Sequence, residues 1–362
     1  MRKYLVAGLM ALTASPAFSG GIERNPQSMN ILFQEGNYVE LGVTYGRPRV
    51  SGTLPPGFGS FPTGNITRRF YSGSLSFKGD INEQLSYALI LDQPFGADTL
   101  YPEGSPLAGS LGKIDNTMLT GVMRYKFGNG FSAHGGLRSS WTKGAVELPG
   151  YEMSTNTDQA FGYLLGVAYE KPEIALRVAL TYNSKIRHGF DAVENATALP
   201  GPVNTTFNTN MPQSVNLEFQ SGVAEDTLVF GSVRWVNWKD FRIEPTVYQS
   251  DPNNPPLVAY QKNSTTYTLG VGRRFNENWS GSVSVAHDTG NGGITGNLGP
   301  VGKRNSIGIG VSYTMNAMTI SGGVQYSRLG GVQTTLQDAG GNRSTFSNNS
   351  AIGAGVRVGF SF

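Results

Sequence analysis

Residue 37 opens a pattern that runs to the C-terminus: apolar side chains alternate with small or polar ones in segments of roughly ten to fifteen residues, each followed by turn residues. In the last segment Ile352, Ala354, Val356, Val358, Phe360 and Phe362 fall on one face, and Gly353, Gly355, Arg357, Gly359 and Ser361 on the other. Ile307, Ile309, Val311 and Tyr313 oppose Ser306, Gly308, Gly310, Ser312 and Thr314 in the same way. A period of two belongs to β-strands, whose successive side chains leave on opposite faces. Strands of this kind need an apolar medium on one side and a polar one on the other.

A water-soluble sandwich also alternates, so the connections decide. Strands read at 38–50, 69–79, 85–95, 114–127, 131–143, 159–169, 174–188, 213–223, 227–241, 264–275, 279–289, 303–314, 318–329 and 350–362 leave seven long and six short connections in strict alternation. Both ends of the array lie on the short-turn side. This is the pattern of an all-β, 14-stranded antiparallel transmembrane β-barrel with short periplasmic turns and long extracellular loops; a sandwich has no reason to sort its loops. The longest apolar run, residues 4–12, is about half the ~20 residues of a spanning helix.

Aromatic side chains favour the boundary between hydrocarbon and headgroup. Tyr125, Phe127, Tyr169, Phe275, Trp279, Tyr313 and Phe362 adjoin short turns, while Tyr182, Trp235, Trp238, Phe241 and Tyr326 lie toward the long loops, which predicts two girdles. Arg2 and Lys3, the apolar stretch 4–12 and the small-residue site Ala17-Phe18-Ser19 read as a secretory signal peptide over 1–19. A short plug-like segment at 20–36 and the barrel at 37–362 would follow. The 28 basic and 25 acidic residues give no excess that would track nucleic acid, and the absence of cysteine suits export. The expected surroundings are outer-membrane lipid and lipopolysaccharide, and the terminal Phe362 looks like the signal read by the barrel assembly machinery. Fourteen strands enclose room for a pore or a plug, and the inward face is small and polar apart from Arg124, Arg138, Arg177, Glu218, Arg234 and Arg357.

Two regions carry a resemblance. The run from Tyr169 through Pro172 to Ser184 resembles the seventh-strand region of the FadL-type long-chain fatty acid transporters, a family that includes aromatic-hydrocarbon channels. Met211-Pro212-Gln213-Ser214 with residues 215–219, and residues 229–241 with Trp235, Trp238 and Phe241, resemble its eighth and ninth strands. The resemblance implies a fourteen-stranded barrel that passively takes up hydrophobic molecules such as long-chain fatty acids or aromatic hydrocarbons. Cargo would be captured among extracellular loops and released through a side opening at a kink in the third strand. The family normally has some forty residues before an Arg-Asn-Pro-Ala type motif. Here Arg24-Asn25-Pro26-Gln27-Ser28 follows the cleavage site almost directly. Only 20–36, with Asn25 and Pro26, is left to act as a plug, so a more open channel, or one closed by inward-folded loops, stays an alternative.

The third segment ends Asp92-Gln93-Pro94-Phe95-Gly96. Proline cannot donate to a ladder and glycine weakens it, so Gln93, Pro94, Phe95 and Gly96 form either a lateral gate or simply the start of the next loop. Val146, Leu148, Tyr151 and Met153 in one long loop and Phe190, Leu199 and Phe207 in another either pack on each other or bind something apolar. Arg177 and Arg234 are candidates to meet a carboxylate, with Arg187 and Lys185 behind them. Against catalysis, the three histidines are scattered, and His287 and its neighbour Asp288 point to opposite faces. No cofactor or metal site is expected. The competing function is a general diffusion porin for small polar solutes.

Overall fold

The computed structural model describes residues 21–252, 254–291, 294–300, 302–335 and 343–362. The signal-peptide reading lies outside the described residues. The chain forms a closed 14-stranded antiparallel barrel: β1 (Tyr38–Arg49), β2 (Phe70–Asp80), β3 (Leu85–Asp92, resumed at Gly96–Leu100), β4 (Leu111–Gly128), β5 (Phe131–Leu148), β6 (Asp158–Lys171), β7 (Leu176–Asn183, resumed at Ile186–Ala196), β8 (Val203–Met211, resumed at Ser214–Ala224), β9 (Thr227–Val236), β10 (Ser264–Arg274), β11 (Trp279–Asp288), β12 (Arg304–Met315), β13 (Met318–Leu329) and β14 (Asn349–Ser361). Pairing of β1 with β14, from Tyr38↔Ser361 to Arg49↔Ser350, closes the cylinder and removes the sheet edges.

The alternation sorts as the sequence requires. Ile307, Ile309, Val311, Ile352 and Val356 are exposed on the outside, whereas Ser306, Ser312, Ser321 and Ser327 are buried inside and hydrogen-bond across strands, Ser306 with Ser327 and Ser312 with Ser321. Reversal at the short turns is sterically demanding. At Gly128-Asn129-Gly130 all three residues have positive φ, and a Cβ at Gly130 would lie 2.2 Å from the Glu170 carbonyl. Ring pairs Phe131–Tyr169 and Trp279–Tyr313, both at 4.8 Å, mark the periplasmic girdle, and Tyr45–Tyr71 at 5.2 Å and Tyr163–Tyr182 at 6.1 Å the outer one.

Two sequence expectations change. The stretches 144–158 and 189–212 are not plain loops: Ile186–Ala196 pairs with Val203–Met211 and with Tyr151–Thr155, so the sheet rises beyond the membrane as a β-extension. Trp238 and Phe241 leave the girdle. β9 ends at Val236, a 3-10 turn at Trp238–Asp240 folds inward, and both rings are fully buried, edge to face at 5.9 Å, in a core with Tyr260 and Phe95.

Candidate functional site

The chain entering at residue 21 runs inside the barrel before β1, and lumen-facing side chains hold it. Buried Glu23 accepts two hydrogen bonds from Arg234, whose guanidinium also reaches Ser214 and Asn216. Gln27 accepts from Arg138 at 2.5 Å, and its carbonyl from Asn216 at 3.0 Å. Ser28 donates to Glu218 at 2.6 Å, and Asn30 accepts from Arg177 at 2.6 Å. The Phe33 ring lies between the guanidiniums of Arg124 and Arg177, at 4.4 and 4.6 Å, and Arg124 also pairs with Glu170. Met29, Ile31 and Leu32 are buried alongside. Residues 21–36 are therefore held inside the barrel through contacts with β4, β5, β7, β8 and β9. Asn25 lies against the strand break, its amide donating to the Pro94 carbonyl at 3.3 Å, while Pro26 is exposed and its carbonyl accepts from Ser28.

The third strand is interrupted where Pro94 stands. β2 and β3 pair up to Leu75↔Leu91, and the upper part of β3 follows β4 on one side and on the other bonds only the stretch just before β2, Leu100 N–H to the Ile66 carbonyl at 2.8 Å and Arg68 N–H to the Asp98 carbonyl at 3.2 Å, leaving residues 70–74 of β2 without a ladder partner on that side. Asp92 opposes Met118 and Gly96 opposes Asp115, so one extra residue enters β3 as a bulge. The inward-turned Pro94–Gly96 backbone pairs instead with the plug: Arg24 N–H donates to the Pro94 carbonyl at 2.8 Å, and Gly96 N–H to the Ile22 carbonyl at 2.8 Å. On the β2 side Gln93 Oε1 accepts from the Gly73 amide at 3.3 Å. Phe95 is buried edge-on to Trp238, at 6.4 Å. The Arg24 guanidinium lies over the Phe70 ring at 4.4 Å and against Gly96, where a Cβ would come within 2.5 Å of its Cζ, in the field of Asp98 and Asp115. Arg24 thus packs against the interruption between β2 and β3.

Above the plug lies a cavity of ≈ 200 Å³. Val146, Met153, Phe190 and Phe207, from the two long connections, line it together with Phe241 and Ile243, and the same cavity reaches Arg24, Phe70 and Gly96. Of the other expected groove residues, Tyr151 lies in the surrounding core and donates to Glu194 at 2.7 Å, Leu148 packs at its edge, and Leu199 is half-buried at the hairpin tip, off the lining. Arg177 and Arg234 are engaged with the plug and do not line the cavity. Its polar lining includes Glu23, Arg24 and Asp288, and also Arg304, whose Nε and Nη2 are buried without a hydrogen bond among the described residues, and Tyr260, whose hydroxyl is likewise unbonded. Arg304 feels the charges of Asp288 and Glu23. Parity alone put Arg304 on the inner face of β12; nothing local in the sequence distinguished it from the paired arginines.

A serine–histidine–aspartate chain that sequence reading missed sits in the wall. His188 Nδ1 meets Asp158 at 2.7 Å, and its Nε2 lies 3.1 Å from Ser140 and 3.2 Å from Thr142. Asn116 donates to both hydroxyls at 2.8 Å. Ser140 and His188 are fully buried and off the cavity lining, so the chain ties β4, β5, β6 and β7 together where a hydrolase would need an open nucleophile. Among the described residues no group of three metal-ligating side chains forms.

A closed 14-stranded barrel with a lumen plug, an interrupted wall strand and an apolar cavity beneath the loops defines an outer-membrane transport barrel. The family described as "Outer membrane protein transport protein (OMPP1/FadL/TodX)" matches residues 11–362, and the chain belongs to it. This is a family of channels for hydrophobic compounds, not of enzymes. Among solved structures the fold is similar to a Pseudomonas aeruginosa FadL homologue (TM-score 0.77, 14% identity, covering 98% of this chain and 96% of that one). It is also similar to the P. putida toluene transporter TodX (0.68, 15%, 99% and 99%) and to the CymD monoaromatic hydrocarbon channel (0.60, 15%, 99% and 98%). No curated protein sequence matches.

Proposed function

We propose that this barrel takes up single hydrophobic molecules through the cavity and releases them sideways, through the slot between β2 and β3, into the outer membrane. The observation that carries the reading is continuity: one cavity touches the loop side chains Val146, Met153, Phe190 and Phe207 and also Arg24, Phe70 and Gly96 at the wall break. An apolar molecule entering from water gains about 25 cal/mol for each Å² it buries among such side chains. Below the cavity lie buried charged groups and a plug bonded to five strands, which offer it nothing comparable. Lipid beyond the slot does. The loop groove at Val146, Met153, Phe190 and Phe207 is the capture site, residues 93–96 with Arg24 the gate, and residues 21–36 the plug.

For cargo with an acidic head, Arg304 and Tyr260 supply donors that have no hydrogen-bond partner among the described residues. A neutral hydrocarbon needs neither. Liposomes containing the protein should take up labelled oleate or toluene faster than empty ones while planar bilayers show little steady ion conductance. Large stable conductance without an uptake advantage would mark a diffusion porin and reject the proposal.

A further inference from the structure

The outer surface of β12, β13, β14, β1 and β2 has an unusual charge distribution just above its apolar band. On the outward faces the register aligns Ile307, Tyr326, Ile352 and Arg47 in one row across four adjacent strands. The next row toward the cell exterior holds Asn305, Arg328, Ser350 and Arg49. Ser350 therefore sits directly between Arg328 and Arg49, with Arg47 one step below on the same strand as Arg49. Arg69 adjoins on the β2 side, two positions from the outward Tyr71.

All four arginines are exposed, and among the described residues none makes an ion pair or side-chain hydrogen bond. The only carboxylate in β12, β13, β14 and β1 is Glu40, which faces inward toward Arg357 at 3.8 Å. Elsewhere on the barrel some cations do have acids: exposed Lys113 pairs with Asp115 at 3.3 Å and half-buried Arg274 with Asp226 at 2.5 Å. Like charges on neighbouring strands repel. Arg328 and Arg49 stand two strand spacings apart, about 10 Å at the backbone, so both guanidiniums can converge over Ser350 if an anion lies between them. They stand one register step above Ile352 and the outward ring of Tyr326, and outward tyrosines of a barrel mark the headgroup level.

We infer that Arg49 and Arg328, bracketing Ser350 and supported by Arg47 and Arg69, bind the phosphate of a phosphorylated glycolipid of the outer leaflet, with its acyl chains lying along the apolar rows below. Arginine suits this role because its planar fork binds phosphate oxygens in pairs and is only weakly hydrated. The acyl chains favour a lipid over free phosphate, since continuous apolar surface starts directly beneath the cations.

The test uses full-length protein extracted from outer membranes in mild detergent, with bound glycolipid counted by native mass spectrometry. Wild type should retain about one phosphorylated glycolipid per barrel. The double variant Arg49→Gln/Arg328→Gln should retain at least tenfold less, and Lys113→Gln/Lys143→Gln, on another sector of the wall, as much as wild type. Delipidated wild type titrated with bis-phosphorylated lipid A should rise in Tm, while the same lipid stripped of phosphate, or inorganic phosphate at equal phosphorus concentration, should leave it unchanged. Undiminished retention by the double variant would overturn the assignment. So would an equal shift with the stripped lipid or with inorganic phosphate.

Discussion

Replacing Glu23 by glutamine tests whether the plug is the axial seal. The side chain is 3% exposed and gives both carboxylate oxygens to Arg234, itself 5% exposed. Removing its charge leaves a buried guanidinium facing only neutral acceptors, the glutamine amide oxygen, the Ser214 hydroxyl and the Asn216 amide oxygen, among the described residues. Breaking one side of a buried pair costs about 3–5 kcal/mol, and an isosteric amide that keeps one contact falls at the lower end. At 1.4 kcal/mol per tenfold, the population with a displaced plug rises by roughly 10². The β-ladder is untouched, so barrel assembly and Tm of the wall should hold. In planar bilayers the wild type should be quiet with rare openings, and the Glu23→Gln variant should open about a hundredfold more often. Adding Arg234→Gln should recover part of the closure, since it removes the stranded charge. A correctly folded Glu23→Gln barrel as quiet as wild type would refute the reasoning.

Phe33→Ala removes a buried ring held between two guanidiniums and should cost the plug about 3–5 kcal/mol, read as channel openings in the same bilayers. Cysteines at Gly73 and Gln93, joined by a short bifunctional reagent in a chain that has no other cysteine, should staple the slot and lower oleate and toluene uptake at least fivefold without reducing the yield of folded barrel; unchanged uptake would remove the slot from the route. Phe190→Ala with Phe207→Ala should weaken binding of a fluorescent fatty acid about tenfold, a loss of ~1.4 kcal/mol, in a displacement titration. Arg304→Gln should slow uptake of oleate but not of toluene, and equal slowing of both would deny Arg304 a role in reading the head group.

The barrel was legible because its cause is local and repeated: each of fourteen segments alternates on its own, and most short turns carry a glycine, asparagine, aspartate or proline. The break in β3 was legible for the same reason, since Pro94 cannot donate wherever it stands. The β-extension was less so. Val203, Thr205, Phe207, Thr209 and Met211 do alternate, but the intervening Asn204, Thr206, Asn208 and Asn210 give little polarity contrast with the threonines. The inward turn of Trp238 and Phe241 was hidden because residues 227–241 keep an apolar rhythm past Val236, and only packing against Tyr260 and Phe95 ends the strand. Arginine roles were illegible altogether. The plug pairs join positions such as Glu23 and Arg234, or Asn30 and Arg177, that no spacing connects, so the arginines noticed as carboxylate candidates proved to be plug anchors.

Plug and wall break also share their hydrogen bonds, which limits how the channel can work. Backbone groups facing hydrocarbon without a partner cost several kcal/mol each, so a spanning strand cannot simply stop pairing. At the break the cost is met from inside: Ile22 and Arg24 bond the Pro94 and Gly96 backbone, and Gln93 serves the β2 side at Gly73. Withdrawing the plug strips partners from Pro94 and Gly96 and draws Arg24 off Phe70. Those groups can be satisfied again only by water admitted through the slot or by closer approach of the upper part of β3 to β2. Under the proposed route, axial displacement of the plug and the shape of the lateral slot are therefore one equilibrium, and a variant that loosens residues 22–25 must alter hydrophobic uptake as well as conductance.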